Sequence, residues 1–345
     1  MRIVIVGAGW YGLHIYKYLK EMHSDIDVII LEKSDSIFSG SSLNNQNRLH
    51  LGYHYPRSHK TRELCKKNYK RFIEEYPMVV ENIKNNYYLI SKDSIIDYNT
   101  YIKIFSNDLM YNHTIRDNPI LDNIDGSVIN TNEKFISAIK AKRYFKSFVN
   151  EEDIKLNYTV HDISSKDDNI IINGEEYCDL LLDCTFNQLG MSSKTYIYEL
   201  TISLVYKKKS NTVFGALTIM DGNFFSIFPR NIEDNTYTLT HVLYTPIIKS
   251  KDINTILKYS ISEEKVIEIK DNMEREVLQV YKRFSDDFIY QDYFLSYKCK
   301  LISGCDTREC NIEESNKILS VNCGKITGIF NYQDYVEKYL SKLKI

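Results

Sequence analysis

The sequence predicts a mixed α/β fold, with a parallel sheet assembled from separated parts of the chain and an inserted antiparallel sheet. Three observations predict it. An apolar run, Arg2 to Val6, enters a glycine-bearing turn and a segment of helical period, and a second apolar run, Asp27 to Leu31, follows as in a βαβ unit. Runs of the same buried-strand type return far along the chain at Leu180–Thr185 and Ile318–Val321. Between those two, from Ile197 to about Tyr244, strand-like runs rich in Thr, Tyr and Phe are broken by turn residues at Asp221-Gly222 and Glu233-Asp234-Asn235.

The remaining elements fill in this order. Leu13, Tyr16 and Leu19 lie at helical spacing in Tyr11–Met22. Residues 34–55 lack periodicity but are rich in Ser, Asn, Gly and His, the composition of a functional loop. Ser58 is placed to cap a helix striped by Leu64, Tyr69, Phe72, Ile73 and Tyr76 and stopped at Pro77. A strand at Tyr87–Ile90 and a helix over about Tyr98–Met110 follow. Thr131 or Asn132 then caps an expected amphipathic helix, Glu133–Val149, leading into a strand-rich run, Ile154–Ile163. Asn169–Tyr177 reads as a hairpin with Asn173-Gly174 at its tip. Ile253–Phe284 reads as helical, and Tyr332–Leu343 as the last helix. The expected domains are therefore discontinuous: residues 1–76, 131–190 and 301–345 form one, and 77–130 and 191–300 the other.

A chain of 345 residues with 43% apolar and 26% charged content can bury a large core. Its formal charge of −2 is spread without a basic block, which excludes the electrostatic footprint of nucleic-acid binding. No apolar run reaches signal or membrane-span length, so no membrane span and a cytoplasmic location are expected. The seven cysteines show no Cys-x-x-Cys pair and no zinc spacing, so reduced thiols and no metal are expected.

The strongest local signal is Gly7-Ala8-Gly9-Trp10-Tyr11-Gly12 between strand and helix, with Glu32 and Lys33 following the second strand. Gly7 permits the turn, Gly9 lets backbone approach a pyrophosphate at the helix N-terminus, and Gly12 lets helix pack on strand. Glu32 would accept hydrogen bonds from the ribose hydroxyls of a dinucleotide. This is a Rossmann-like unit, and by itself it does not separate FAD from NAD.

The segment Ser42-Leu43-Asn44-Asn45-Gln46-Asn47-Arg48-Leu49-His50-Leu51-Gly52-Tyr53-His54-Tyr55 resembles the loop after the ribose-binding acid in D-amino-acid oxidase-like flavoproteins, most of all the L-2-hydroxyglutarate oxidase branch. Pro56-Arg57-Ser58 and Leu64-Cys65 extend the likeness. Val160, the strand ending Cys184-Thr185, and Cys323-Gly324-Lys325-Ile326-Thr327-Gly328 resemble later family segments in order, although Phe186 stands where the family has Gly. The resemblance implies a Rossmann-like FAD-binding domain with an inserted antiparallel-sheet substrate domain. It also implies FAD contacts from Gly7, Ala8, Gly9, Trp10, Tyr11, Gly12, Glu32, Lys33, Ser42, Asn45, Arg48, Leu49, His50, Val160, Thr185, Gly324, Lys325 and Ile326.

The implied function is an FAD-dependent oxidoreductase acting on a C–N or C–O bond of a small anionic substrate, an amino acid or hydroxy acid, with oxygen or another acceptor reoxidising the flavin. His50 and His54 are candidate acid–base groups. Arg308 occupies the family's carboxylate-clamp position, where a planar guanidinium can hold a carboxylate through two parallel hydrogen bonds, and Arg230 competes for that role. Tyr53 and Tyr55 are the candidate substrate-pocket walls. Two further readings stay open: a flavin enzyme without net redox change acting on a nucleotide sugar or polysaccharide precursor, and an NAD(P)-linked dehydrogenase or non-catalytic nucleotide-binding protein.

Overall fold

The structure, a computed structural model, describes residues 1–116, 126–209, 214–302 and 310–343. The chain forms two compact units. One comprises Met1–Leu43, Ala138–Ile197 and Cys299–Ile345, and the other Asn44–Ser137 and Tyr198–Lys298.

The first unit is built on a six-stranded sheet. Strand β1 (Arg2–Val6) lies between β2 (Asp27–Leu31) and the strand Leu180–Asp183, parallel to both. Ile318–Asn322 and Ile154–Lys155 extend the parallel set on its two sides, and Asn311–Ser315 closes one edge antiparallel. Ile3, Val4 and Ile5 are fully buried, as a parallel strand covered on both faces requires. Helix α1 (Trp10–Met22) buries Leu13, Tyr16 and Leu19, the three residues whose spacing predicts it. Burying side chains of this size stabilises the unit by roughly 1.5–3 kcal/mol each. A three-stranded antiparallel sheet, Ile163–Lys166, Asn169–Ile172 and Glu176–Cys178, packs Ile170 and Ile172 on Val4, Val6, Leu31 and Leu181. Its expected tip is present: Asn173 and Gly174 both take positive φ, 53° and 75°, the Glu175 amide donates to the Ile172 carbonyl at 3.1 Å, and three residues separate the paired Ile172 and Glu176.

The second unit is built on a nine-stranded sheet. Ala216–Met220 runs parallel to Asn86–Ser91, and the other neighbours along the main strand order pair antiparallel. The helix Glu263–Val280 lays Val266, Ile269, Met273 and Val277 into the cluster formed by Ile202, Leu204, Leu217, Ile227 and Leu239 of this sheet. A small second sheet pairs Arg48–Leu49 and Val80–Asn82 with Lys134–Ile136.

Two expectations are corrected, one helix and the limits of the units. Glu133–Val149 is not one helix: Lys134–Ile136 is a strand, and the helix is Ala138–Phe148. The strand wins because its pairing with Arg48–Leu49 buries Phe135 and Ile136 and draws Glu133 inward. The chain leaves the first unit at Leu43 and not after residue 76, so the loop from Asn44 and the helix His59–Glu75 fall in the second unit. The return comes at Ala138 and not at residue 131. Finally, Phe288–Leu301 is a long strand that the sequence reading does not single out. Only Phe288, Phe294, Ser296 and Cys299 along it are buried, so its alternation is broken by Gln291-Asp292.

Among the described residues, no helix is long and apolar enough to cross a membrane. Cys65, Cys178, Cys184, Cys299, Cys310 and Cys323 are free thiols.

Candidate active site

In the first unit, the turn between β1 and α1 is held from both sides by backbone. Gly7 takes φ +102°, a conformation that side chains resist, and a Cβ there would lie 2.9 Å from the Cys184 carbonyl oxygen. At Gly12 a Cβ would lie 2.0 Å from the Gly7 carbonyl oxygen, so helix and turn approach only because this residue is glycine. Gly9 is the N-cap of α1 and offers no capping side chain, and the first turn of the helix holds no acid. The positive end of the helix is thus left for an anion.

Glu32 anchors the same turn. Its Oε2 accepts from the Ala8 amide at 2.7 Å and its Oε1 from the Ser34 amide at 2.9 Å. Each oxygen keeps a second lone pair for a ribose hydroxyl. Ser42 Oγ accepts from the Trp10 amide at 2.9 Å and lies 2.8 Å from where a Gly9 Cβ would sit. The Trp10 ring packs edge-on to Phe38 and Phe145, so this residue offers backbone, and its side chain belongs to the core.

Around this turn, Thr185 donates its amide and hydroxyl to Asp183 Oδ1 at 2.9 and 2.6 Å. Burial raises the pKa of Asp183, partly offset by these bonds and one from Ser320. Phe186 takes φ 61° and Asn187 φ 62°. The chain therefore keeps a glycine-type conformation where the family glycine is missing. Tyr11 donates its hydroxyl to the Lys325 carbonyl at 2.7 Å, tying the helix to Gly324-Lys325-Ile326, and a Cβ on Gly324 would meet nothing within 4 Å. Lys33 Nζ donates to Gln188 at 2.7 Å, and half-buried Val160 packs on the Val4–Leu181 cluster.

The second unit holds the loop with both histidines. Arg48 is buried and donates to the Tyr88 hydroxyl at 2.6 Å, Thr218 Oγ1 at 2.9 Å and Ser226 Oγ at 3.0 Å. Its guanidinium also stacks 4.0 Å from the Phe228 ring centre and lies 3.9 Å from Glu133 Oε2. Glu133 is fully buried; Oε1 accepts from the Leu51 and Gly52 amides at 2.8 and 3.0 Å, and Oε2 accepts from Tyr88 at 2.5 Å. Burial alone would raise the Glu133 pKa, but the neighbouring His50 imidazole, the Arg48 charge and the Tyr88 hydroxyl outweigh it and hold the carboxyl well below the usual carboxylate range.

His50 Nδ1 is 3.8 Å from Glu133 Oε1, a charge contact longer than a hydrogen bond. The His50, His54 and Tyr55 rings lie 5.4–5.6 Å apart in one cluster. Arg230 rests 4.2 Å over the Phe294 ring centre, with Nη1 buried and without a hydrogen-bond partner among the described residues. Burial lowers its pKa and the Asp292 charge opposes that.

Arg48 turns its donors to Tyr88, Thr218 and Ser226, and Leu49 is fully buried. Tyr53 is fully buried among Phe105, Tyr111 and Tyr88, an aromatic core rather than a pocket wall. Asn45 is exposed and accepts from the Gln46 amide. Arg308 lies outside the described residues. Glu133, Tyr88, Thr218 and Ser226 carry no sequence signal, because they meet only through the pairing of distant strands.

No family model matches the chain. It is, however, 30% identical over 330 residues to the FAD-dependent monooxygenase FPY4 of Fusarium mangiferae, covering 94% of this chain and 87% of that protein. The chain belongs to the FAD-dependent oxidoreductases. The flavoprotein is also 26% identical over 368 residues to the FAD-dependent monooxygenase kojA of Aspergillus flavus, with 95% and 83% covered. Its fold matches that of glycine oxidase from Geobacillus kaustophilus, at a TM-score of 0.71 and 14% identity over 95% of this chain and 90% of that one. It also matches L-α-glycerophosphate oxidase from Mycoplasma pneumoniae with FAD bound, at a TM-score of 0.71 and 11% identity over 95% and 91%. The flavoprotein is therefore an FAD-dependent enzyme of the glycine oxidase fold type, and the NAD(P)-linked and non-catalytic readings give way. The side-chain-free turn at Gly7, Gly9 and Gly12 fits its cofactor's pyrophosphate.

Proposed function

We propose that this flavoprotein oxidises a C–N or C–O bond of a small carboxylate-bearing substrate of the amino acid or hydroxy acid type, anchored by Arg230. FAD, when bound, supplies the hydride acceptor. The Gly7–Gly12 turn and the α1 N-terminus would hold its pyrophosphate and Glu32 its adenosine ribose. Ser42, Lys33, Val160, Thr185 and Gly324-Lys325-Ile326 are proposed to complete that site. His50, His54 and Tyr55 would supply the acid–base and orienting groups.

The observation that carries the substrate class is the Arg230 guanidinium. It is charged, stacked on Phe294 and buried at an Nη1 that no acceptor among the described residues meets. A buried donor of this kind is costly unless a ligand satisfies it, and a carboxylate matches its planar geometry. The likeness of the 42–55 loop to L-2-hydroxyglutarate oxidases places 2-hydroxy acids first in a substrate panel, with amino acids second.

The test is a titration of holoenzyme with amino acids, hydroxy acids and nucleotide sugars, read by perturbation of the flavin spectrum and by anaerobic bleaching. Arg230→Leu is expected to keep its flavin and to bind carboxylates more weakly by about 2–5 kcal/mol. Equal binding by the variant, or a response to nucleotide sugars alone, removes the proposal. The relatives named monooxygenases support a second reading, in which one atom of dioxygen enters the product. Labelled dioxygen separates the two: label in product marks monooxygenation, and stoichiometric hydrogen peroxide without label marks an oxidase.

A further inference from the structure

Glu133 combines features that a packing residue does not need. Its side chain is fully buried, where an ionised carboxylate is expensive unless donors surround it. Donors do surround it, and they converge on one short stretch of chain. The amides of Leu51 and Gly52, the two residues after His50, both point at Oε1, and the His50 ring meets the same oxygen through Nδ1. On the other side, Arg48 donates to the Tyr88 hydroxyl, which in turn donates to Oε2. The Tyr88 oxygen thus passes the polarisation of the guanidinium on to the carboxylate. Arg48 itself is fixed by Thr218 and Ser226 and by the Phe228 ring, so the carboxylate has a rigid mounting.

We propose that Glu133 is a positioning residue for His50: it clamps the backbone behind the imidazole and sets the ring so that Nδ1 faces the carboxylate and Nε2 faces away from it. The inference rests on the reading that His50 serves the reaction centre. A carboxylate beside one ring nitrogen has two electrostatic consequences. It keeps the proton of the neutral ring on that nitrogen, and it favours the imidazolium over the neutral form. Among the described residues, His54 and Tyr55 pack on this ring, Tyr88 packs on His54 and also bonds Glu133, and Arg48 acts through Glu133. His54 opposes protonation of His50 as a like charge, and Glu133 favours it.

The test uses holoenzyme labelled with nitrogen-15 in histidine, with His50→Asn and His54→Asn assigning the two rings. In the unsubstituted protein, neutral His50 should carry its proton on Nδ1. In Glu133→Gln its titration midpoint should fall by about one unit or more. A proton on Nε2 in the unsubstituted protein overturns the proposal, and so does an unchanged midpoint in the variant. Should Glu133→Gln fail to fold, the tautomer in the unsubstituted protein decides alone. The flavin absorbance, followed through the same pH range, tests the underlying reading separately. It should change with the His50 midpoint and lose that change in His50→Asn. A flat absorbance with the expected tautomer and midpoint shift would leave the positioning role standing and remove His50 from the reaction centre.

Discussion

Glu133 holds its charge where water is excluded, and its acidity follows from what replaces the water. Because its folded pKa lies below the unfolded one, the stability it contributes is complete above the ordinary carboxylate range and is lost as pH falls below that range toward the folded value. The urea midpoint is therefore expected to drop as pH is lowered through about 4.3 and below, with a shallower drop in Glu133→Gln. An identical acid limb in the variant would place the charge-dependent stability elsewhere. Truncation to Glu133→Ala should cost about 3–5 kcal/mol, because it leaves the Leu51 and Gly52 amides and the Tyr88 hydroxyl without their acceptor and the buried Arg48 charge without its counter-ion. Phe186 shows a different residue-scale choice. The backbone after Leu180–Asp183 turns through positive φ at Phe186 and Asn187 without a glycine, so the turn presents side chains in a conformation that glycine adopts most readily.

At the scale of elements, helix limits follow local chemistry closely. Ser58 and Ser262 cap His59–Glu75 and Glu263–Val280, each accepting from the amide three residues on. The second helix covers the nine-stranded sheet through Val266, Ile269, Met273 and Val277. Ser262→Ala is accordingly expected to lower stability by about 1 kcal/mol in a denaturant titration, without loss of flavin. No change would mean that water satisfies the freed Lys265 amide. Local chemistry fails at Glu133, where the amphipathic period continues backward from Ala138–Phe148 into residues that are a strand. Pairing of Lys134–Ile136 with both Arg48–Leu49 and Val80–Asn82 outweighs one added helical turn.

At the scale of the whole molecule, the two units differ in sheet type. The parallel sheet ends in the glycine turn that suits a dinucleotide, while the larger, mostly antiparallel sheet carries the histidine loop, Glu133 and Arg230. If the first unit holds FAD, added FAD should raise the melting temperature of the apoprotein by mass action, by about 2.7 kcal/mol of stabilisation at a hundred times Kd. Gly9→Val should abolish that rise, because its side chain occupies the turn beside Ser42. A rise retained in the variant would move the cofactor elsewhere. By itself the sequence determined the βαβ start, the Asn173-Gly174 hairpin, the buried strands Leu180–Asp183 and Ile318–Asn322 and the dinucleotide-type turn, because glycine geometry, caps and apolar periodicity act within a few residues. Only the tertiary structure decided that Arg48 serves Glu133, that Tyr53 is core, and that residues 44–76 belong with the second unit. These outcomes depend on Arg48, Tyr88, Glu133, Thr218 and Ser226 meeting across a sheet, and partners so far apart in the chain are chosen by strand pairing and by the need to satisfy buried charge.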